Sequence, residues 1–326
     1  MIQKAIHELV ENKNLDFNNL SGKCLIGTEG DTSETIRLIT SLKDELSSIQ
    51  FLTVCNYFLL LDHRPGVLIF LLKELDKFRD SSSVEAVTRL LLMKEHIEPY
   101  NEIDYTDVRV VCAKLIANLK DHKSVFALLD CLNNRNENYK VRLSCADALG
   151  RLGDKYAVAP LMDIVSDENE KSVYIRESAA TALGLLGDSR AADPLISILE
   201  TKNGIMDKFT YLKERVIEAL SKLTPENDRA FQALKRSLSD ENPQVRISAI
   251  EAIMNYQHEE SADLIRKMLK DEDEEVVKNA VGALYNLCGE NELKNIIKSA
   301  DFSKNCKDEA KSILEEEALE NINEQN

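Results

Sequence analysis

Apolar positions recur with helical spacing over most of the chain beyond residue 105. The recurring frame is an aliphatic residue, then small or aliphatic residues at +4 and +7, and aliphatic residues at +8 and +11. These positions lie on one face of a 3.6-residue helix, so each frame predicts an amphipathic helix, here called helix A. The frame begins at Val108, Val141, Ile175, Leu212, Val245 and Val276, with separations of 33, 34, 37, 33 and 31 residues. A fixed period of this length predicts a stack of helical repeats.

Two stretches show how a unit is completed: ALGRLGDKYAVAPL (148–161) and ALGLLGDSRAADPL (182–195). Gly-Asp follows helix A in both, and it supplies a residue that tolerates positive φ and a side chain that caps a following helix. Pro160 and Pro194 then fall in the first turn of a second helix, helix B, where a missing N–H costs little. Each unit is therefore predicted to be a helix, a tight turn and a second helix.

One hairpin of this kind cannot bury its apolar face alone, so neighbouring units must stack. The fold class predicted is all-α: an α-solenoid of stacked helical hairpins over residues 105–300. Residues 1–104 do not fit the frame, and we interpret them as a divergent helical cap of degenerate repeats, with a separate small helical domain as the alternative. A C-terminal helix and acidic tail are expected over 301–326. The helices predicted in the N-terminal region are 2–12, 33–46, 48–62, 66–79 and 83–96.

The pattern V-R-x-x-x-A-x-A-L-G-x-L-G-D-x-x-A-x-x-P-L, complete at 141–161 and nearly so at 175–195, resembles the short HEAT-type repeat. The same repeat occurs in the phycobiliprotein-lyase HEAT-like family. This resemblance covers roughly residues 105–300 and implies an α-solenoid. It also implies a family of scaffolds, adaptors and chaperone-like bilin lyase subunits without a shared set of catalytic residues.

Charge, hydropathy and cysteine content restrict the classes of partner and the cellular location that are expected. A formal net charge of −16 opposes binding to nucleic acid and to anionic membranes. The most apolar window, residues 51–61, is too short to span a bilayer. The seven cysteines contain no CxxC pair and several lie in apolar helical patterns, which predicts buried free thiols and a cytoplasmic location. No export signal is expected at the N-terminus.

Charged residues recur with the repeat. The position after the first aliphatic residue is basic in five units, and an aspartate recurs at the turn between helices A and B. We interpret this series as structural, with bases and aspartates of successive units bridging and capping one another, rather than as a basic ladder for an acidic partner. The series comprises Arg109, Arg142, Arg176, Lys213, Arg246, Asp121, Asp154 and Asp188.

Partner contacts are predicted at two sets of exposed apolar side chains. The longest interval between frames places its surplus in residues 200–214, an expected loop carrying Ile205, Met206, Phe209 and Tyr211. The alternative is that this segment folds back or extends the next helix. Tyrosines also recur just ahead of three helix A starts, where they either anchor a partner or fill the seams between units. These residues are Tyr139, Tyr174 and Tyr211.

Catalytic and metal-binding patterns are not found. The five histidines are scattered, and only His7-Glu8 and His258-Glu259 resemble the His-Glu pairs of the di-iron deoxyhypusine hydroxylases, whose pattern they do not reproduce. GTEGD (27–31) lacks the Lys-Ser/Thr of a phosphate-binding loop and is expected to be a plain loop whose Asp31 or Thr32 caps the next helix. No cofactor and no metal are expected.

The function predicted is a scaffold or adaptor that binds a protein partner, with basic character, on the solenoid surface. The alternative is a bilin lyase subunit or chaperone acting on phycobiliproteins. The helix B set is expected to form a concave binding face. Its candidate residues are Asp163, Asp193, Ser197 and Arg236.

Overall fold

The computed structural model describes residues 15–93, 103–200, 209–223, 227–256 and 258–324. Within these ranges every regular element is helical: 18 α-helices and four short 3₁₀ turns. The chain forms two compact units, Met1–Pro160 and Leu161–Asn326. Stacked helical hairpins confirm the predicted all-α solenoid class.

The first unit contains the helices of the N-terminal region and the first complete repeats. Its helices are α1 (Phe17–Lys23), α2 (Thr32–Glu45), α3 (Ser48–Leu61), α4 (Pro65–Phe78), α5 (Val84–Leu91), α6 (Thr106–Leu119), α7 (Val125–Asn133) and α8 (Tyr139–Leu152). Helix α9 (Val158–Ser166) contains the boundary between the units. Helices α2 to α4 match the sequence prediction, and α5 lies within the predicted 83–96 but ends at Leu91, before the predicted end. The predicted helix at 2–12 lies outside the described residues.

The second unit continues the alternation of A and B helices. Its helices are α10 (Val173–Leu186), α11 (Ala192–Glu200), α12 (Thr210–Leu223), α13 (Asp228–Ser237), α14 (Pro243–Tyr256), α15 (Ser261–Met268), α16 (Glu274–Cys288), α17 (Glu290–Lys298) and α18 (Lys304–Glu324). The A helices α6, α8, α10, α12, α14 and α16 begin within three residues of the frame starts. All six frame-start side chains are at most 1% exposed, so the periodic positions form the core.

Helix α1 was not predicted, because the segment from Ser21 was expected to be a loop. It is short and carries one buried side chain, Phe17, so it has no apolar periodicity to detect. Its N-terminus is capped by Asp16, whose carboxylate accepts a hydrogen bond from the Asn19 N–H. Local capping, rather than an amphipathic face, explains this helix.

A buried ion pair holds the loop that follows α1. The guanidinium of Arg64 donates to the Asp62 carboxylate at 2.6 Å and to the carbonyls of Gly30 and Leu25 at 2.8 and 2.9 Å. The N–H of Gly27 donates to the same carboxylate at 3.0 Å. The loop 24–31 is therefore fixed by side-chain hydrogen bonds from the segment before α4, and Asp31 caps α2 as expected.

The turn between helices A and B has the predicted chemistry. Gly153 and Gly187 end α8 and α10 with φ of +78° and +64°. Lys120 occupies the equivalent position after α6 with φ of +53°, so one unit uses a non-glycine residue there. A residue with positive φ reverses the chain in each case, and a 3₁₀ turn then leads into helix B.

Neighbouring A helices approach closely in the second unit. A Cβ atom added at Gly184 of α10 would lie 2.9 Å from the Cα of Ala219 in α12. Ala179, Ala182 and Ala249 are also fully or almost fully buried at the small positions of the frame. Gly184 and Ala219 thus allow the close approach of α10 and α12.

Helices long and apolar enough to cross a membrane are absent from the described residues.

Candidate functional site

The periodic arginines reach backward to the preceding B helix. In three of them the guanidinium donates to a carbonyl in the last turn of that helix, where helical partners are missing. The bonds are Arg109 Nε to Leu91 O at 2.7 Å, Arg142 Nε to Leu132 O at 2.8 Å, and Arg176 Nη2 to Val165 O at 2.7 Å. Arg246 bonds instead to the carbonyls of Asp240 and Glu241, just after α13, at 2.9 and 3.2 Å. Because these arginines are 3–6% exposed, they are not available as a basic ladder.

Three of the basic residues also pair with a carboxylate from the next loop between helices B and A. Arg109 holds Glu137 with two hydrogen bonds of 2.7 and 2.6 Å. Burial opposes the charge on Arg109, but the hydrogen bonds and charge of Glu137 outweigh it and raise the pKa of Arg109. The other pairs are Lys213 with Asp240 at 2.8 Å and Arg246 with Asp271 at 2.6 Å. For Arg109 and Arg246 the carboxylate partner comes from this loop, whereas the periodicity of the charges predicts pairing with the turn aspartates.

The turn aspartates are helix caps. The carboxylates of Asp121, Asp154 and Asp188 accept hydrogen bonds from backbone N–H groups two residues later, at 2.8, 2.9 and 3.0 Å. Asp154 additionally contacts His122 Nδ1 of the preceding turn at 2.7 Å. Asp80 caps Ser82 N–H at 2.8 Å in the same way between α4 and α5. The N-terminal region therefore contains one hairpin with the turn chemistry of the later repeats.

The tyrosines ahead of the A helices point toward solvent. Tyr139, Tyr174 and Tyr211 are 53%, 62% and 68% exposed and lie in the first turns of α8, α10 and α12. Side chains this exposed do not fill the seams between units. Each instead presents an aromatic ring at the edge where helix B leads into helix A.

The loop predicted at 200–214 does not continue to residue 214. Helix α12 begins at Thr210, so Tyr211 lies on a helix rather than in a loop. Phe209, immediately before it, is half-buried. Ile205 and Met206 lie outside the described residues. The segment therefore contributes one exposed aromatic side chain to the described surface.

The structure also contains an exposed aromatic pair that the sequence pattern did not predict. Phe126, in the first turn of α7, and Tyr156, in the 3₁₀ turn before α9, are 67% and 71% exposed. Their ring centroids are 5.7 Å apart, so they form one aromatic surface on two successive hairpins. Phe126 departs from the apolar face of α7, which is formed by Val125, Leu128 and Leu132. The position of Phe126 off this apolar face is the feature of the sequence that could have predicted its exposure.

The helix B candidates lie on an exposed polar surface. Asp193 pairs with Arg229 at 2.6 Å, and Arg236 pairs with Glu200, so both pairs join α11 to α13. The hydroxyl of Ser197 donates to the Asp193 carbonyl at 3.0 Å, and Asp163 is exposed. Asp193 and Arg236 thus already make contacts between successive repeats.

Cysteine and histidine side chains have structural surroundings. Six of the seven cysteines are buried free thiols, as predicted, and Cys288 is exposed. Burial raises the pKa of the Cys24 thiol to about 11, with a smaller contribution from Glu45 in the same direction. His258 stacks on the ring of Phe231 at 4.0 Å. Within the described residues there is no group of three or more potential metal ligands.

Comparison with known structures finds several matches. The complex of CpcE and CpcF of phycocyanin lyase from a Nostoc species is 23% identical over 70% of this chain and 87% of that chain, with a TM-score of 0.43. Human deoxyhypusine hydroxylase in complex with glycerol is 15% identical over 83% of this chain and 96% of that chain, with a TM-score of 0.35.

The karyopherin Kap121p bound to the SUMO protease Ulp1p is 12% identical over 90% of this chain and 36% of that chain, with a TM-score of 0.52. At this identity the likeness shows a shared fold. No curated protein sequence matches the chain significantly. The family model for HEAT repeats matches four overlapping segments, 103–173, 127–207, 200–286 and 231–320, which together span more than half of the chain. The chain therefore belongs to the family of HEAT-repeat proteins.

Proposed function

We propose that this HEAT-repeat protein is a scaffold or adaptor that binds a protein partner through its exposed aromatic side chains. The observation that carries this proposal is the exposure of five aromatic rings, each more than half exposed, of which three lie in the first unit and two in the second. They are Phe126, Tyr139, Tyr156, Tyr174 and Tyr211. Aromatic side chains supply much of the binding energy in protein interfaces, because they bury large areas at a low cost in conformational entropy.

The charges of the chain also support binding to a protein. Periodic charged residues form buried ion pairs between repeats, as Arg109–Glu137 and Arg246–Asp271 illustrate, and are therefore not exposed to a partner. The net charge of −16 favours a partner with basic segments, since opposite charges accelerate association.

The test is affinity enrichment from native extract, quantified by mass spectrometry. Two double variants remove exposed rings: Phe126→Ser with Tyr156→Ser, and Tyr174→Ser with Tyr211→Ser. The matched control replaces Ile49 and Leu319, which are 61% and 62% exposed, by serine. We expect at least one protein to be retained by the wild type and the control but depleted about tenfold or more by a ring variant, since truncation of an interface anchor costs about 2 kcal/mol or more. Equal recovery of every protein by all four forms, with helicity intact by circular dichroism, contradicts the proposal.

A bilin lyase subunit or chaperone acting on phycobiliproteins is the second candidate function. Its support is the repeat pattern at 141–161, which resembles the phycobiliprotein-lyase HEAT-like family. The test is visible absorbance after mixing the purified protein with a bilin and desalting. A shifted band that survives desalting supports this function, and an unshifted spectrum excludes direct bilin binding.

A further inference from the structure

The turns between helices A and B of the first unit lie side by side in a row. His122 Nδ1 contacts the Asp154 carboxylate of the next turn at 2.7 Å, and the ring centroids of Phe126 and Tyr156 are 5.7 Å apart. A hydroxyl of α5 lies 2.6 Å from the Ser124 hydroxyl, so the preceding hairpin is joined to the same row. We call this surface the turn edge, and it comprises residues 79–82, 120–123 and 153–156 together with Phe126.

Phe126 and Tyr156 form one apolar surface at the turn edge. Both rings are mostly exposed, although they come from successive hairpins and lie next to each other. Rings at this centroid distance already touch, so an incoming side chain packs over both rings rather than between them. The pair therefore offers a continuous apolar contact to a partner.

Cationic side chains without partners flank this apolar surface. Lys123 lies three residues before Phe126, and Lys155 directly precedes Tyr156. Lys123 occupies in its turn the position that Tyr156 occupies in the next turn, so the repeat directs both side chains to the same side. Within the described residues, four exposed cations of the turn edge make no side-chain hydrogen bond or ion pair. They are Arg79, Lys120, Lys123 and Lys155.

The acidic residues of the turn edge are already bonded. The carboxylates of Asp80, Asp121 and Asp154 accept hydrogen bonds from backbone N–H groups of their own turns at 2.8, 2.8 and 2.9 Å. Asp154 is bonded to His122 as well. These hydrogen bonds direct the carboxylates toward the N-termini of the B helices, whose partial positive charge offsets theirs. The charged side chains of the edge that are left without partners are therefore cationic.

Helix α7 carries a single carboxylate, and it lies away from the turns. Asp130 is exposed and follows Phe126 by four residues. It is therefore displaced from Phe126 by about 6 Å toward the C-terminal end of the helix. Lys123 precedes Phe126 and lies in the turn itself. A segment lying along the row of turns thus meets the lysines and the rings on the side opposite Asp130.

We propose that the turn edge of the first unit is a docking site for an acidic segment of the protein partner that carries apolar side chains. Carboxylates of the segment pair with Lys123 and Lys155, and an apolar side chain packs on Phe126 and Tyr156. This inference rests on the proposed scaffold function and assigns the part of the partner that contacts this ring pair.

The acidic segment is compatible with the negative charge of the whole chain. The net charge of −16 is spread over all repeats and favours basic segments of a partner. A docked segment instead interacts with the charges within a Debye length of about 8–10 Å, and at the turn edge the unpaired ones are lysines and arginine. Local charge therefore selects the segment that binds at this edge.

The test measures binding of fluorescently labelled peptides to the full chain by fluorescence anisotropy. The probe is Glu-Asp-Phe-Glu-Glu-Leu-Asp, and its counterpart Glu-Asp-Ser-Glu-Glu-Ser-Asp keeps the charge but lacks the apolar side chains. We expect the wild type to bind the counterpart about fivefold or more weakly, since it cannot pack on the rings. Equal binding of the two peptides, or no binding of the probe, overturns the proposal.

The site variant is Lys123→Gln with Lys155→Gln. The matched control is Lys73→Gln with Lys114→Gln, which removes the same charge from exposed positions on α4 and α6 of the same unit. We expect the site variant to weaken binding of the probe about five- to tenfold and the control to weaken it less than about twofold. Equal weakening by the two variants, with helicity intact by circular dichroism, shows a response to net charge alone and excludes the site.

The position of the bound peptide is tested by ¹⁹F NMR of protein labelled with 3-fluorotyrosine. The chain contains nine tyrosines, and Tyr156→Phe and Tyr174→Phe assign the two signals that are compared. Tyr156 lies in the turn edge, whereas Tyr174 is an exposed tyrosine of the second unit. We expect the probe to shift the Tyr156 signal and to leave the Tyr174 signal unchanged. An unshifted Tyr156 signal, or equal shifts of both, contradicts the assignment.

A nucleic acid is the competing occupant of a row of cations. Labelled oligodeoxythymidylate is therefore titrated against the same proteins. We expect it to bind about tenfold or more weakly than the probe, since the net charge of −16 repels a polyanion and few counterions are released by so few cations. Tighter binding of the oligonucleotide than of the probe, lost in the site variant, would replace the acidic protein segment by a nucleic acid.

Affinity enrichment of the site variant separates this inference from the proposed function. Loss of one protein by both the site variant and Phe126→Ser with Tyr156→Ser, with the lysine control retaining it, supports the docking site. If the ring variant loses a protein that the site variant retains fully, the scaffold function stands and the acidic-segment site is wrong. If no variant loses any protein, both fail.

Discussion

Replacing Arg109 by methionine tests whether the periodic arginines fasten successive repeats. The substitution keeps the length of the aliphatic stem but removes hydrogen bonds of 2.7 and 2.6 Å to Glu137 and of 2.7 Å to the Leu91 carbonyl. Both side chains are almost fully buried, at 3% and 8% exposed, so water cannot replace the lost donors. Removing one partner of a buried pair costs about 3–5 kcal/mol, a large part of the 5–15 kcal/mol that stabilises a typical domain.

The assay is urea denaturation followed by far-ultraviolet circular dichroism. Lys114→Met provides the control, since Lys114 is an exposed residue of the same helix and its loss should change the free energy of unfolding by less than about 0.5 kcal/mol. The double variant Arg109→Met with Glu137→Met replaces the pair by apolar side chains and should regain most of the loss. The reasoning is refuted if the single variant loses less than about 1 kcal/mol, or if the double variant is no more stable than the single one.

Three further predictions concern backbone packing and pH. Gly184→Ala should lower the free energy of unfolding by about 1–3 kcal/mol, because its Cβ would lie 2.9 Å from the Cα of Ala219. Gly282→Ala should raise it by about 0.5–1 kcal/mol, because nothing lies within 4 Å of the new Cβ, and thermal melts giving the two variants shifts of the same sign would contradict this. Asp62→Asn should destabilise the protein by about 1–3 kcal/mol at pH 7. Burial raises the pKa of Asp62, but hydrogen bonds from Arg64 outweigh this and lower it below 3.8, so its contribution is present above that pH and is lost on acidification. The difference between Asp62→Asn and the wild type should therefore shrink as the pH falls below 3.8, and a constant difference would count against the ion pair.

The helical hairpins could be predicted from the sequence because their signals are local. A frame start such as Val141 indicates the buried face of helix A whatever the neighbouring repeat contains. Gly153 followed by Asp154 specifies the reversal of the chain and the cap of the next helix within a few residues. Arg109 was recognised as periodic for the same reason. Glu137 could not be identified as its partner from the sequence. The base and the acid are separated by 28, 27 and 25 residues in the three pairs, and the pairing depends on how each intervening loop folds.

The candidate site depended more strongly on tertiary contacts. Tyr174 and Tyr211 stood out in the sequence, but exposed and seam-filling orientations were equally compatible with their spacing. Phe126 and Tyr156 lie 30 residues apart and become one surface only when two hairpins stack.

The repeat length, the alternation of A and B helices and the chemistry of the turns can be read from the sequence, because the signals for each lie within one or two helical turns. The pairing of the charged residues follows from the packing of the helices. That outcome depends on competition among donors and acceptors brought together from different repeats, and on how much water the packed helices exclude. The surface available to a partner therefore consists of the exposed side chains that do not bond between repeats.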